Sequence, residues 1–192
     1  MKSTNIKKNH IFLKILFLIS FSATLIFILI FVRQNITPVI VSGTSMSPTL
    51  QEAEQVIILK ENNIKNGDIV SFEAPDEENT YYIKRVIGIA GDTVEYKDDK
   101  LYINGKFIEE PYLDDLKNSE RWKRNGNFAT LTPNFTLESL PATNTKKVPD
   151  NMLFVMGDNR IDSKDSRYFG FISVDKVIGK MIYPKLNEKT GN

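Results

Sequence analysis

The chain has no cysteine among its 192 residues, so disulfides, thiolate metal sites and a cysteine nucleophile are all excluded. It has one histidine, His10, which lies among lysines near the start. A Ser-His-Asp triad and a multi-histidine metal centre are excluded with it. It also has no marked excess of either charge, with 25 Lys+Arg against 24 Asp+Glu, and so no polyelectrolyte attraction for nucleic acid. Any chemistry in this chain must rely on hydroxyls, amines and carboxylates. The overall balance hides an asymmetry, because Lys2, Lys7, Lys8, Lys14 and Arg33 face no acidic residue within positions 1–33. The remainder carries 20 basic against 24 acidic residues, as expected of a solubilised globular domain.

One long apolar run is present. Ile15 to Val32 is interrupted only by Ser20, Ser22 and Thr24. As a helix it covers about 27 Å, close to the hydrocarbon thickness of a bilayer. Ile11-Phe12-Leu13 extends it, with Lys14 snorkelling to the headgroups. A cleaved secretory signal would have a shorter apolar region and a small-residue cleavage site, which Phe31-Val32-Arg33-Gln34-Asn35 does not supply. The expectation is an uncleaved transmembrane anchor over 15–33, preceded by a cytoplasmic segment 1–14 and followed by an extracytoplasmic domain 34–192. The orientation follows from four lysines before the span and, after Arg33, no basic residue until Lys60.

Beyond the span, short β-branched and aromatic runs alternate with turn residues: Val56–Leu59, Asp68–Phe72, Tyr81–Ile89, Thr93–Tyr96, Met152–Met156 and Val177–Tyr183. Leu101-Tyr102-Ile103 and Lys106-Phe107-Ile108 flank Asn104-Gly105, which suits a type I′ hairpin turn. The pattern weakens over 109–148, which carries Pro111, Pro133 and Pro141. That stretch reads as an insertion or lid with a short helix around Leu113–Lys123, and no chemistry is expected to centre on it.

Three segments carry chemically interesting residues. Ser42-Gly43-Thr44-Ser45-Met46-Ser47-Pro48-Thr49-Leu50 reads either as a plain turn or as a serine presented at a loop-to-helix junction, with Pro48 in the first helical turn. The dibasic pair Lys84-Arg85 interrupts an apolar strand. Strand alternation places the two charges on opposite faces, so one of them must approach a buried face. This is either an edge strand protected by charge or a strand holding a desolvated lysine. At a pKa of about 10.4 only roughly 0.04% of a lysine is neutral at pH 7, whereas at about 8 the fraction is roughly 10%. A serine beside such an amine is a nucleophile and base pair that needs no histidine. The third segment, Gly157 to Gly170, holds Asp158, Asp162, Ser163, Asp165 and Arg167 and reads as a solvated loop or as a polar network pinning a nearby site. A calcium loop is not supported, since the sixth position from Asp158 is not glycine and the twelfth is not glutamate.

Taken in order, these boxes and the preceding span resemble bacterial type I signal peptidases, most closely the single-span form of Gram-positive bacteria. Ser42–Leu50 is similar to the nucleophile box, Gly67–Phe72 to the next structural strand, Tyr82–Asp92 to the general-base box and Gly157–Gly170 to the last. The resemblance implies Ser45 as nucleophile, Lys84 as general base and Arg85 as the arginine that follows it. It implies Ser163 as the serine orienting the lysine amine, Asp165 and Arg167 as a supporting pair, and Asp158 as part of the same network. Gly43, Ser45 and Met46 fall on the oxyanion and nucleophile loop. The implied fold is mostly β, the antiparallel signal peptidase and LexA-like fold with a small inserted extension, preceded by one transmembrane helix. Two positions depart from the family pattern: Ala90 stands where proline is frequent, and Gly43 where some members carry a hydroxyl that serves the oxyanion.

The resemblance further implies no cofactor and no metal, with signal-peptide-bearing preproteins as substrates, small residues at the first and third positions before the cut, and a cell-membrane location. The lipid bilayer is an expected partner, proximity to the secretion translocon is compatible with the layout, and nucleic acid is not an expected partner. Met46 and the apolar run Ile36–Val41 read either as membrane-facing surface or as ordinary core. Two rival readings are a self-cleaving Ser-Lys peptidase, which lacks support without a basic recognition helix, and a non-catalytic anchored binding module. No carboxylate pair stands out to support a glycosidase.

Overall fold

A computed structural model describes residues 2–118 and 130–184. The expected positions 119–123 of the short helix, part of the 109–148 insertion and the last eight residues of the outer domain therefore lie outside the described residues. The chain divides into two units after Thr37.

The first unit is dominated by one helix, α1, Lys2–Asn35. Its apolar portion, Phe12–Asn35, is long enough to cross a bilayer, at about 36 Å for 24 residues. Large apolar side chains from Phe12 to Val32 are exposed, which suits a lipid environment and not a protein core. The helix is continuous through Lys14, so no structural boundary marks the start of the expected span.

The second unit is the mostly antiparallel β fold expected. Its strands are β1 Ile36–Ile40, β2 Gln55–Leu59, β3 Ile69–Glu73, β4 Tyr81–Ile89, β5 Val94–Lys97, β6 Lys100–Ile103, β7 Lys106–Ile108, β8 Phe135–Thr136, β9 Met152–Met156, β10 Ile172–Ser173 and β11 Val177–Tyr183. Seven form one sheet in the order β1-β2-β11-β3-β4-β9-β10, and four form a smaller one in the order β7-β6-β5-β8. Pro38, which has no N–H to donate, sits in β1 at the sheet edge. The hairpin forms where Asn104-Gly105 predicts it, with φ of 53° and 74° at those two residues. The smaller sheet begins at Val94 and ends at Thr136, so it takes in the hairpin together with β8 from the 109–148 stretch. Within 109–148 a 3₁₀ turn, Pro111–Leu113, leads into a helix α2, Asp114–Asn118.

Both faces of the larger sheet are covered. Val86 joins Val70, Phe72, Leu153, Val155 and Ile172 in one apolar cluster. The next residue, Ile87, joins Val94, Tyr96, Phe135, Phe154 and Met156 in another, which fastens the smaller sheet to the larger. Adjacent strand residues entering different cores explain why β4 is almost uniformly apolar. In that setting its two charges stand out.

Candidate active site

The loop between β1 and β2 carries Ser45. Gly43 has φ of +82°, a left-handed conformation that favours glycine and turns the chain into the loop. Met46 and Leu50 are buried with Val41, Val56, Ile58 and Ile69, which anchors the loop from beneath. Met46 and, within the run Ile36–Val41, Val41 therefore point into the core, while Ile40 is exposed. The helix expected behind Ser45 does not form. Two separate backbone bonds, Ser47 N–H to Thr44 O and Leu50 N–H to Met46 O, close turns without a continuous ladder. The Ser45 N–H donates to no acceptor among the described residues. Ser45 lines a cleft of about 300 Å³ together with Val39, Thr44, Tyr82, Lys84 and Lys164.

Lys84 lies in the middle of β4, which pairs with β3 on one side and β9 on the other. This is an interior strand, so the reading of Lys84-Arg85 as edge protection does not hold. Both residues are buried. Lys84 Nζ donates to Ser45 Oγ at 2.7 Å. Burial pulls its pKa down from the usual 10.5 to about 8, against the opposing pull of Asp165, Asp158 and Asp76. The neighbouring charge is managed differently. Arg85 makes a two-pronged contact with Asp158, Nε to Oδ1 at 2.9 Å and Nη2 to Oδ2 at 2.6 Å, and Nη1 donates to Gly67 O at 2.9 Å. Its guanidinium also stacks 3.7 Å from the centre of the Tyr112 ring. A paired arginine beside an unpaired lysine leaves only the lysine ready to lose a proton.

After β9 the chain passes through Gly157 and the polar loop. Asp165 is fully buried and caps a one-turn helix α3, Ser166–Phe169. It accepts from Arg167 Nε and Nη2, both at 2.8 Å, and from Gly157 N–H at 3.0 Å. The Asp165 and Arg167 pair and the Arg85 and Asp158 pair thus flank the lysine from the loop side. Ser163 is buried in the same loop, but its Oγ has no hydrogen-bond partner among the described residues, and the Lys84 amine is bonded to Ser45 instead. A Cβ on Gly157 would collide with both Ser163 Oγ and the Ser45 carbonyl oxygen, so the loop and the serine meet across a glycine.

Several residues of this site were not assigned a role from the sequence. Arg160 donates through Nε to Gly157 O at 3.1 Å and through Nη2 to Glu110 Oε1 at 2.6 Å, and also reaches Tyr96 OH. Glu110 accepts from both Tyr96 OH and Tyr112 OH at 2.6 Å, and burial holds both phenols well above their ordinary pKa. The start of the 109–148 stretch thus supplies Glu110 and Tyr112 to the polar network around the site. Asn159 donates its backbone N–H to Ser45 O and its side-chain Nδ2 to Thr44 O, each at 3.0 Å. The only sequence signal for Arg160 and Asn159 was their place within the Gly157–Gly170 box. For Glu110 and Tyr112 there was none.

Known proteins share this layout. Residues 12–185 match the family described as signal peptidase, peptidase S26. Signal peptidase IB of Staphylococcus aureus is 39% identical over 173 residues, 86% of each chain. Signal peptidase I of Bacillus caldolyticus is 42% identical over 146 residues, 74% of this chain and 75% of its own. A crystal structure of a signal peptidase I from Enterococcus faecalis V583 is 43% identical and superposes with a TM-score of 0.57, covering 62% of this chain and 97% of that one. With a family match running through nearly the whole described chain, this protein belongs to the signal peptidase family, peptidase S26.

Proposed function

We propose that this family member is a membrane-anchored serine endopeptidase that removes signal peptides from exported preproteins, with Ser45 as nucleophile and Lys84 as general base. The observation that carries the assignment of these two residues is the 2.7 Å contact between Lys84 Nζ and Ser45 Oγ, made by an amine whose pKa burial has brought to about 8. Neutral Lys84 takes the Ser45 proton as Oγ bonds to the scissile carbonyl carbon. The Ser45 N–H receives the oxyanion. The C–N bond then breaks and Lys84 hands its proton to the leaving amine. Water repeats the cycle, its oxygen bonding to the acyl carbon as Lys84 takes the proton and returns it to Ser45. In this reading Arg85, Asp158, Asp165 and Arg167 hold the lysine's surroundings, and the unpartnered hydroxyl of buried Ser163 is the orienting group for the amine. No cofactor takes part.

The helix fixes the enzyme in the cell membrane with its N-terminus in the cytosol and residues from about 34 onward outside, where signal peptides emerge close to the secretion translocon. Ser45→Ala and Lys84→Ala are each expected to abolish precursor cleavage, read by gel shift of a signal-peptide-bearing substrate, while thermal melting shows the protein still folded. A serine-directed acylating probe should label the parent at Ser45. Cleavage retained by both variants would overturn the assignment of Ser45 and Lys84, whereas a parent protein that neither cleaves the precursor nor reacts with the probe would leave the anchored binding module as the better reading.

A further inference from the structure

Asn159 is buried directly beneath the nucleophile loop and is joined to both peptide units that flank Ser45. Thr44 O is an acceptor only, so the amide NH₂ of Asn159 faces it, at 3.0 Å. The Thr44–Ser45 peptide is trans, and in a planar trans unit the C=O and N–H point in opposite directions. Holding Thr44 O toward Asn159 therefore turns the Ser45 N–H away from the protein interior. That N–H is the one without an acceptor. The Ser45 carbonyl is held as well, by the Asn159 backbone N–H at 3.0 Å.

Building on the reading of Ser45 as nucleophile, we propose that Asn159 is a positioning residue that sets the direction of the Ser45 N–H, so that it meets the oxyanion as the tetrahedral intermediate forms. The side chain does not touch substrate; it acts through the peptide plane. Ser47 N–H also donates to Thr44 O, so losing the amide loosens the plane and does not free it. The effect is accordingly smaller than the 10²–10³ in kcat that deleting an oxyanion donor outright costs. It falls on charge developed in the transition state, and therefore on kcat and not on KM.

The test uses the full-length protein in lipid vesicles with a signal-peptide-bearing precursor, comparing Asn159→Asp, which is isosteric but has no NH₂, with Asn159→Ala. Both are expected to lower kcat by about 10- to 100-fold with KM within about twofold. In Asn159→Ala the acid limb of the pH profile, which reports Lys84, should stay where it is in the parent; Asn159→Asp is compared at the pH plateau, because an added carboxylate pulls the lysine's pKa upward as Asp165 and Asp158 do. Affinity for a peptide boronic acid, which forms a tetrahedral adduct on the serine, should fall by a factor similar to that in kcat. Unchanged kcat in both variants overturns the inference. So does a fall in kcat that only tracks the folded fraction, or one in which KM, or the acid limb of Asn159→Ala, moves with it, because either marks plain packing. Ser45→Ala is run alongside: if it still cleaves, the nucleophile reading fails and this inference with it. If it is dead while both Asn159 variants are fully active, only the role of Asn159 is lost.

Discussion

At the scale of single residues, the base role proposed for Lys84 depends on the fold making its charge expensive. With a pKa of about 8 in place of 10.5, the neutral fraction at pH 7 rises from roughly 0.03% to roughly 10%. The same shift has a thermodynamic sign. The folded protein releases this proton near pH 8 and the unfolded chain near 10.5, so between those values the unfolded state binds more protons and stability rises with pH. Below pH 8 both states are protonated and the penalty, about 3 kcal/mol, is present in full. Lys84→Met removes the charge and keeps the length. It should be inactive yet more stable than the parent at pH 7, by up to about 3 kcal/mol, with the advantage disappearing above about pH 10.5. Denaturant midpoints across that range measure it. A variant equally stable or less stable at neutral pH would mean that the amine is not held in a desolvated site. In the parent, kcat/KM should climb about tenfold per pH unit up to about pH 8 and then level off.

At the scale of elements, the join between β9 and the polar loop is as constrained as the Ser45 and Lys84 contact. Gly157 follows Met156, the last residue of β9, and lies against Ser163 Oγ and the Ser45 carbonyl oxygen. A methyl group there has no room, and one of its two neighbours is backbone that cannot rotate aside. Gly157→Ala is expected to cost about 1–3 kcal/mol through overpacking and, with Ser45 as the proposed nucleophile, to lower kcat at least tenfold, because the displaced atom belongs to Ser45. Thermal melts and steady-state kinetics on one preparation check both parts. Legibility in the sequence follows the same line between local and distant causes. The hairpin at Asn104-Gly105 and the long run of β4 were readable, because turn chemistry and β-branched runs are local properties. That β4 is interior, and so buries both Lys84 and Arg85, was not, because strand alternation says nothing about which strands lie on either side. The two-residue strands β8 and β10 are too short to leave a pattern. Arg160 meets Glu110 across fifty positions of chain, a contact made by the docking of the smaller sheet and not by any motif.

At the scale of the whole molecule, the core clusters among the described residues draw only on positions from Val39 onward, and α1 contributes none of their side chains. Folding of the β unit is therefore expected not to need the helix, whose expected contribution is to location. Ser45 follows Val32 by thirteen positions, a tether of at most about 45 Å even if fully extended. An enzyme and a substrate confined to one bilayer meet at an effective concentration far above that in solution, and a tether of limited length bounds how far the serine can stray from that layer. A chain lacking residues 2–35 retains all of β1 and should melt cooperatively within a few degrees of the parent. It should cleave a short soluble peptide with unchanged kcat and the same acid limb near pH 8. On a precursor held in vesicles it should be slower by a factor that grows as the vesicles are diluted, and it should no longer sediment with them. The split between the two substrates is the informative result. Equal losses on soluble and membrane-held substrates would make α1 a structural part of the active domain, and equal rates on both would mean that anchoring plays no part in bringing serine and cleavage site together.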